Sequence, residues 1–219
     1  MINETMRIEE IVKVNPAVTE LFTDTGIDFC CGGHRVLADV LEEKNLDVDS
    51  FMDLLNKSIA KTDERDWNEA IDMKAEELIP YIVKRFHKKE EELIERADNY
   101  LNKILKVHYN SHGKELSEIY NVFLKLKGEL SAHFAKEEQE IFPIFLEGNK
   151  NRIKELEDEH DAAGDLLKKL EELTNGFVAP QDGCTTYNLA FQTLKDLVDD
   201  VHIHIFLENS VLFKEEAIA

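Results

Sequence analysis

The chain has 219 residues, of which 43% are hydrophobic and 33% charged, so it holds enough apolar side chains for a folded core and is not typical of a disordered protein. Its 46 acidic residues outnumber its 26 basic ones, and the net charge of −20 argues against nucleic acids and anionic membranes as partners. Its three cysteines, two of them adjacent, do not form a disulfide framework and favour a reducing, cytoplasmic location.

Residues 1–60 are predicted to form a small helical domain. Helical spacing indicates short helices over residues 6–14, 15–22, 35–43 and 49–59. A domain of this size has a small core, so pairing with a second copy in a homodimer is an arrangement that the sequence leaves open. The polar, aperiodic stretch 61–68 is predicted to be a linker, and nothing before it resembles a signal peptide.

Residues 69–219 show a helical period throughout and predict an antiparallel four-helix bundle. The predicted helices cover residues 76–108, 115–142, 149–173 and 185–216. Gly113 and Pro143 are expected to end the first two helices. Strand patterning is absent and no apolar run is long enough to span a membrane, so the predicted fold class is all-α, with no membrane partner.

Each predicted bundle helix carries a histidine on its apolar stripe. These histidines are His87, His133, His160 and His204. Glu137 and Glu208 follow two of them at spacing i, i+4, which puts imidazole and carboxylate on one face of each helix. A buried carboxylate needs a compensating charge, and nitrogen and oxygen ligands suit iron or manganese better than a thiolate-seeking metal. The pattern therefore predicts a site for two metal ions, with carboxylates able to bridge them.

A ferritin-like arrangement is the first alternative for this site. That pattern requires a Glu-x-x-His pair on each of two helices, and here Glu157 and His160 form the one such pair. Taken alone, any of the histidines is more typical of a core residue than of a ligand. The occurrence of one on every bundle helix is what favours the metal site.

Three stretches of sequence make the chain resemble a known family. The motif Asp-Phe-Cys-Cys-Gly-Gly at 28–33, and the helical motifs at 159–164 and 204–213, are similar to those of the iron–sulfur cluster repair di-iron (RIC) proteins. That family joins an N-terminal ScdA-type Cys-Cys domain to a C-terminal hemerythrin-like domain, and the resemblance covers nearly the whole chain. It implies two iron ions, oxo- and carboxylate-bridged. The implied ligands are His87, His133, Glu137, His160, His204 and Glu208.

The sequence departs from oxygen-carrying hemerythrin in two helices. Gly164 stands where that protein's third helix has a second histidine, and Asn209 stands in place of its last carboxylate, so that Glu208 supplies this group instead. Replacing imidazole by carboxylate makes a metal site more electron-rich. The departures therefore favour redox reaction over reversible oxygen carriage.

The resemblance implies repair of iron–sulfur clusters damaged by oxidative or nitrosative stress, through iron donation or nitric oxide removal. The partners would be damaged iron–sulfur proteins or cluster-assembly proteins, with nitric oxide or dioxygen as small ligands. Two alternatives stay open. One is a nitric oxide or dioxygen reductase at the same site, so that enzymatic turnover is undecided, and the other is an oxygen- or iron-sensing binding module.

The remaining histidines and cysteines carry weaker hypotheses. His108 and His112 are candidates for groups that support the metal ligands, or for histidines favoured by the dipole at a helix C-terminus. Cys30 and Cys31 are candidates for a thiol role toward iron, nitric oxide or a partner's thiol. The competing interpretation of the cysteines is a small buried pair shaped by a tight turn.

Overall fold

The computed structural model describes residues 2–59 and 67–214, and this part of the chain confirms the all-α prediction. Its one β feature is an isolated antiparallel bridge between Arg7 and Val36. Within the described ranges, the α-helices are α1 Ile8–Val14, α2 Val18–Asp24, α3 Leu37–Glu43, α4 Val48–Ile59, α5 Ala75–Ile82, α6 Lys88–Val107, α7 Tyr109–Lys136, α8 Phe142–Leu146, α9 Ile153–Leu173 and α10 Thr185–Phe206. None of these helices is both long and apolar enough to cross a bilayer.

The chain divides into two compact units. The first comprises Met1–Leu78 together with Ile205–Glu216. Its core contains the stacked rings of Phe22 and Phe51, whose centroids lie 6.3 Å apart. Residues 61–66 of the predicted linker lie outside the described residues. Trp67, which follows them, is buried, and its ring packs edge-on against the ring of Phe206.

The second unit contains Ile79–His204 and is built from α6, α7, α9 and α10. Contacts between α6 and α7 show that these helices run antiparallel. Asp98, near the middle of α6, accepts a hydrogen bond from Tyr120, near the middle of α7. His87, just before α6, contacts Glu138, just beyond the end of α7. The start of α6 therefore lies beside the end of α7, as expected for two helices joined by a short turn.

The other two helices continue this antiparallel order. Lys136, the last residue of α7, pairs with Glu155 near the start of α9. Lys89, near the start of α6, pairs with Asp200 near the end of α10. The core between the helices is apolar. It includes Leu101, Ile104, Phe123, Leu126, Leu156, Leu167, Leu194 and Leu197, each at most 1% exposed. Burying a side chain of this size contributes about 1.5–3 kcal/mol.

One predicted helix start and one predicted helix end are wrong. The first bundle helix ends at about His108, as predicted, but the second begins at Tyr109 instead of residue 115, so Gly113 lies inside α7, next to His112, whose backbone leaves the helical region with φ −128° and ψ 15°. Pro143 does not end the second bundle helix, because it occupies the first turn of α8, where a missing N–H removes no helical hydrogen bond. A π-helical segment, Glu137–Ile141, precedes it and joins α7 to α8.

Candidate metal centre

Three of the six predicted ligands lie at irregular points of long helices. The described ranges contain three π-helical segments, namely Val83–His87, Glu137–Ile141 and Leu207–Leu212. Each segment contains one predicted ligand, respectively His87, Glu137 and Glu208. Single π-helical turns inside α-helices occur frequently at functional sites, because the wider turn changes the direction of a side chain relative to its helix.

The structure brings His87, Glu137 and His204 together in the second unit, and likewise His133, Glu137 and His160. Within each of these sets the potential ligand atoms lie within 4.8 Å of one another. One oxygen of Glu137 lies 3.3 Å from Nε2 of His87, and the other lies 3.2 Å from Nε2 of His133. Glu137 therefore belongs to both sets and presents one oxygen to each.

The two imidazoles of the second set face each other directly. Nε2 of His160 lies 3.1 Å from Nε2 of His133. Two ring nitrogens at this distance repel unless a proton or a cation lies between or beside them. Their convergence therefore points to a cation-binding group.

Carboxylates on other helices contact the Nδ1 atoms of His87, His133 and His204. Nδ1 of His87 lies 2.8 Å from Glu138, and Nδ1 of His133 lies 2.8 Å from Glu159. Nδ1 of His204 lies 3.2 Å from Glu90. An imidazole that donates its Nδ1–H to a carboxylate keeps the Nε2 lone pair for a metal, and such outer carboxylates orient and strengthen metal ligands.

A second observation tests whether these residues fit a metal. Glu137 is fully buried, and the imidazoles of both sets are at most 6% exposed. Burying a carboxylate costs several kcal/mol unless a positive charge compensates it. A cation bound among imidazole nitrogens and carboxylate oxygens supplies that charge. The donor set, with no sulfur, suits iron or manganese.

Glu208 occupies the continuation of the last helix. The boundary between the two units falls between His204 and Ile205, and Glu208 lies about one helical turn further along the same chain. Its side chain is fully buried. Continuous helical backbone connects it to His204.

His108 and His112 do not lie with the predicted ligands. α6 separates His108 from His87 by about 30 Å, at 1.5 Å per residue. His108 contacts Cys184 at 3.3 Å, and His112 contacts Asp182 at 3.1 Å. The structure therefore does not support the hypothesis that they assist the metal ligands. The position of His108 at the C-terminus of α6 agrees with the alternative based on the helix dipole.

Cys30 and Cys31 lie in a loop of the first unit, where Cys30 is buried and Cys31 is partly exposed. Neither forms a disulfide. Asp28 lies beside them, and the three residues form a third group of potential metal ligands among the described residues.

Sequence reasoning missed the outer carboxylates Glu90, Glu138 and Glu159. A weak signal was present, because Glu138 and Glu159 are neighbours of predicted ligands and Glu90 follows His87 at helical spacing. Each carboxylate nevertheless contacts an imidazole from a different helix, so its role depends on how the helices pack. Burial raises the pKa of Glu159, but hydrogen bonds from His133 and Lys136 outweigh it and hold that pKa below its usual value.

Comparison with known proteins agrees with this geometry. Residues 78–215 match the hemerythrin HHE cation binding domain, and residues 4–59 match ScdA_N, a domain of unknown function (DUF542). The chain is 34% identical over 215 residues to the iron–sulfur cluster repair protein YtfE of Pectobacterium atrosepticum, with 93% of each chain covered. It is 35% identical over 210 residues to the protein of that name from Escherichia coli, again with 93% of each covered. The chain therefore belongs to the family of hemerythrin-like iron–sulfur cluster repair proteins, as its motifs predicted.

Proposed function

We propose that this chain repairs iron–sulfur clusters damaged by oxidative or nitrosative stress, and that it does so with a di-iron centre in its helical bundle. The proposed ligands are His87, His133, Glu137, His160, His204 and Glu208. The function is supported by relatives named as iron–sulfur cluster repair proteins, which match over 93% of their length. The partners in this proposal are damaged iron–sulfur proteins or cluster-assembly proteins in the cytoplasm, with nitric oxide or dioxygen as small ligands.

One observation carries the proposal that two ions bind. The two oxygens of Glu137 face imidazoles of different sets, at 3.3 Å from His87 and 3.2 Å from His133. A single ion would need only one of these sets. We assign Glu208 the role of a second bridging carboxylate because it is fully buried and lies about one turn beyond His204.

A bound pair of iron ions would supply one-electron redox chemistry and a store of releasable iron. The protein's own groups prepare the site for it. Glu138, Glu159 and Glu90 contact the Nδ1 atoms of three imidazoles, so Nε2 of each would be the atom that binds a metal. Burial of the ligand groups excludes water and strengthens their electrostatic interaction with a cation.

Metal content tests the centre. After anaerobic purification with iron supplied, the wild-type chain should contain about two iron ions, as expected for two sets of nitrogen and oxygen ligands. Glu137→Gln should lose most of this iron, because it removes the charge shared by both sets. Glu140→Gln is the matched control, since Glu140 lies on the same π-helical segment but is exposed and bound to Arg152. One zinc ion, or no metal after iron supply, would overturn the di-iron proposal.

Repair itself needs a separate assay. An aconitase-type enzyme inactivated by nitric oxide is mixed with the iron-containing chain, with its Glu137→Gln variant, or with the same concentration of ferrous ions. Repair is supported if the enzyme is reactivated faster by the wild-type chain than by either the Glu137→Gln variant or ferrous ions. Equal rates in all three mixtures would refute repair while leaving the metal centre intact. Sustained consumption of nitric oxide in the presence of an electron donor would favour the reductase alternative instead.

A further inference from the structure

The loop at residues 28–33 holds two thiols and a carboxylate close together within the first unit. One carboxylate oxygen of Asp28 accepts the backbone N–H of Cys30 at 3.1 Å and that of Cys31 at 2.9 Å. At Gly32 an added Cβ atom would lie 2.9 Å from the backbone oxygen of Asp28, so a side chain there would force the loop apart. The carboxylate and the glycine thus hold both cysteines in a defined orientation.

The three side chains are spaced like ligands of a single tetrahedral ion. Cys30 Sγ lies 3.7 Å from Cys31 Sγ and 3.3 Å from Oδ1 of Asp28. Two sulfur ligands of a tetrahedral ion are about 3.8 Å apart, and a sulfur and an oxygen ligand about 3.5 Å, given metal–sulfur bonds of about 2.3 Å. Two of the three separations therefore match those of a tetrahedral ion, and all three ligand atoms lie within 4.8 Å of one another.

We propose that Asp28, Cys30 and Cys31 bind one divalent cation that prefers thiolate ligands, zinc or ferrous iron, in a tetrahedral site with an open fourth position. Sulfur donors select such ions over magnesium and calcium. Three protein ligands leave one corner for water or for a thiolate of another molecule. Asp28 is exposed and Cys31 partly exposed, so an ion can enter from solvent although Cys30 is buried.

The charges around the loop favour a cation. The carboxylate of Asp28 lies 3.3 Å from the sulfur of Cys30, within the same loop. A bound divalent cation would stabilise the two thiolates and compensate this carboxylate. Binding converts two thiols into two metal-bound thiolates and releases their two protons to solvent. No electron is transferred, so no oxidant or reductant is needed.

The end of the last helix, which belongs to the same unit, supports the loop. Asn209 donates its Nδ2–H to the backbone oxygen of Cys30 at 3.3 Å, and the ring of Phe29 lies 6.2 Å from that of Phe206. Such support keeps ligand atoms near their binding geometry, which a metal site requires. A purely structural cysteine pair would be supported in the same way, so the test has to detect metal–sulfur bonds.

Cobalt(II) is a suitable probe for this site in the full-length, iron-containing chain. Thiolate-bound cobalt gives sulfur-to-metal charge-transfer absorption, which nitrogen and oxygen ligands of the bundle cannot produce. The titration is done with Cys184→Ser, because that exposed thiol lies beside His108 and could bind cobalt on its own. We expect one cobalt ion per chain with this absorption, tetrahedral visible bands, and displacement by zinc, whereas ferrous ions should displace cobalt only in large excess and without oxygen.

Two further variants decide the assignment. Cys31→Ser should weaken cobalt binding at least about a hundredfold, since even outer partners of metal ligands are worth ten- to a hundredfold. Cys30→Ser should weaken cobalt binding to a similar extent. If the buried Cys30 is necessary for folding, Cys31→Ser by itself still tests the site. Iron content and circular dichroism of each variant report on the bundle separately, so this proposal can fail while the di-iron proposal stands. Absence of the sulfur absorption, or its persistence without Cys30 and Cys31, would overturn the site.

Discussion

Nδ1 of His204 lies 3.2 Å from both carboxylate oxygens of Glu90, a residue on another helix of the same unit. Both side chains are at most 2% exposed. A buried carboxylate in this position accepts the Nδ1–H of the imidazole and leaves its Nε2 for a metal. Glu90 is therefore a positioning residue for His204. Because both side chains are buried, water does not compete for this hydrogen bond.

We predict that Glu90→Gln lowers the iron affinity of the bundle by about ten- to a hundredfold, the usual effect of losing an outer partner of a metal ligand. The amide can still accept the hydrogen bond, but it no longer carries the charge that strengthens the imidazole. The rate of iron loss to a chelator measures the effect. Glu91→Gln is the control because Glu91 is exposed on the same helix. Equal rates in wild type and Glu90→Gln would contradict the positioning role.

A second prediction concerns the hydrogen bond from Tyr120 to Asp98. This bond, together with burial and the charge of Asp98, raises the pKa of Tyr120 to about 12. Because the folded-state pKa lies above the unfolded value of about 10, the bond stabilises the fold below pH 10 and loses this effect as the pH rises toward 12. Asp98→Asn should return one tyrosine to a titration near pH 10, measured by phenolate absorbance.

Tyr187 provides an internal control for that titration. Burial is the main cause that raises its pKa to about 12, and Asp98 is not among the causes. Its ionisation should therefore stay late in Asp98→Asn. An unchanged titration of all tyrosines, with the fold intact by circular dichroism, would show that the bond to Asp98 has no such effect.

A third prediction concerns the thiol of Cys184. The hydrogen bond with His108 is the largest of several causes that lower its pKa to about 7, so about half of it is thiolate at neutral pH. His108→Ala should cut the thiolate fraction at pH 7 by at most about fiftyfold, because backbone hydrogen bonds at Tyr187 and Thr186 also lower this pKa, while the more basic thiolate becomes intrinsically more nucleophilic. The net result should be a several-fold slower alkylation by iodoacetamide, quantified at Cys184 by peptide mass spectrometry.

His112→Ala is the matched control for this experiment. His112 lies near His108, but it contacts Asp182 rather than Cys184. Its loss should leave the alkylation rate of Cys184 almost unchanged. If both variants slowed the reaction equally, a disturbed helix start rather than the imidazole would be the cause.

The fourth prediction compares two glycines. At Gly33 an added Cβ atom would lie 2.8 Å from the backbone oxygen of Phe29, so Gly33→Ala should destabilise the first unit by about 1–3 kcal/mol. At Gly128, inside α7, nothing lies within 4 Å of an added Cβ, and Gly128→Ala should stabilise the bundle by about 0.5–1 kcal/mol. Denaturant unfolding of both variants and of the wild type measures whether each substitution lowers or raises the free energy of unfolding. A neutral Gly33→Ala would show that the loop relaxes around the new methyl group.

The periodicity of the sequence was sufficient to predict the helical fold, because the apolar stripes of α6, α7, α9 and α10 can be buried only against one another. Spacing within a single helix was also sufficient to select the ligand candidates, since His133 and Glu137 share a face whatever lies opposite. Helix ends were less predictable. The first bundle helix ends near His108 as predicted, but Gly113 lies inside α7, and the helical backbone continues past Pro143 through a π-helical segment and α8.

Only the tertiary structure decided which groups meet across helices. Glu90 lies 114 positions from His204 along the chain, and no local pattern connects them. The same is true of Glu159 and His133, and of the two imidazoles that Glu137 joins. The sequence by itself determined which residues could bind a metal, because side-chain chemistry and helical spacing are local properties. Their convergence on one place, and the carboxylates behind them, were decided by helix packing, which depends on the whole apolar core at once.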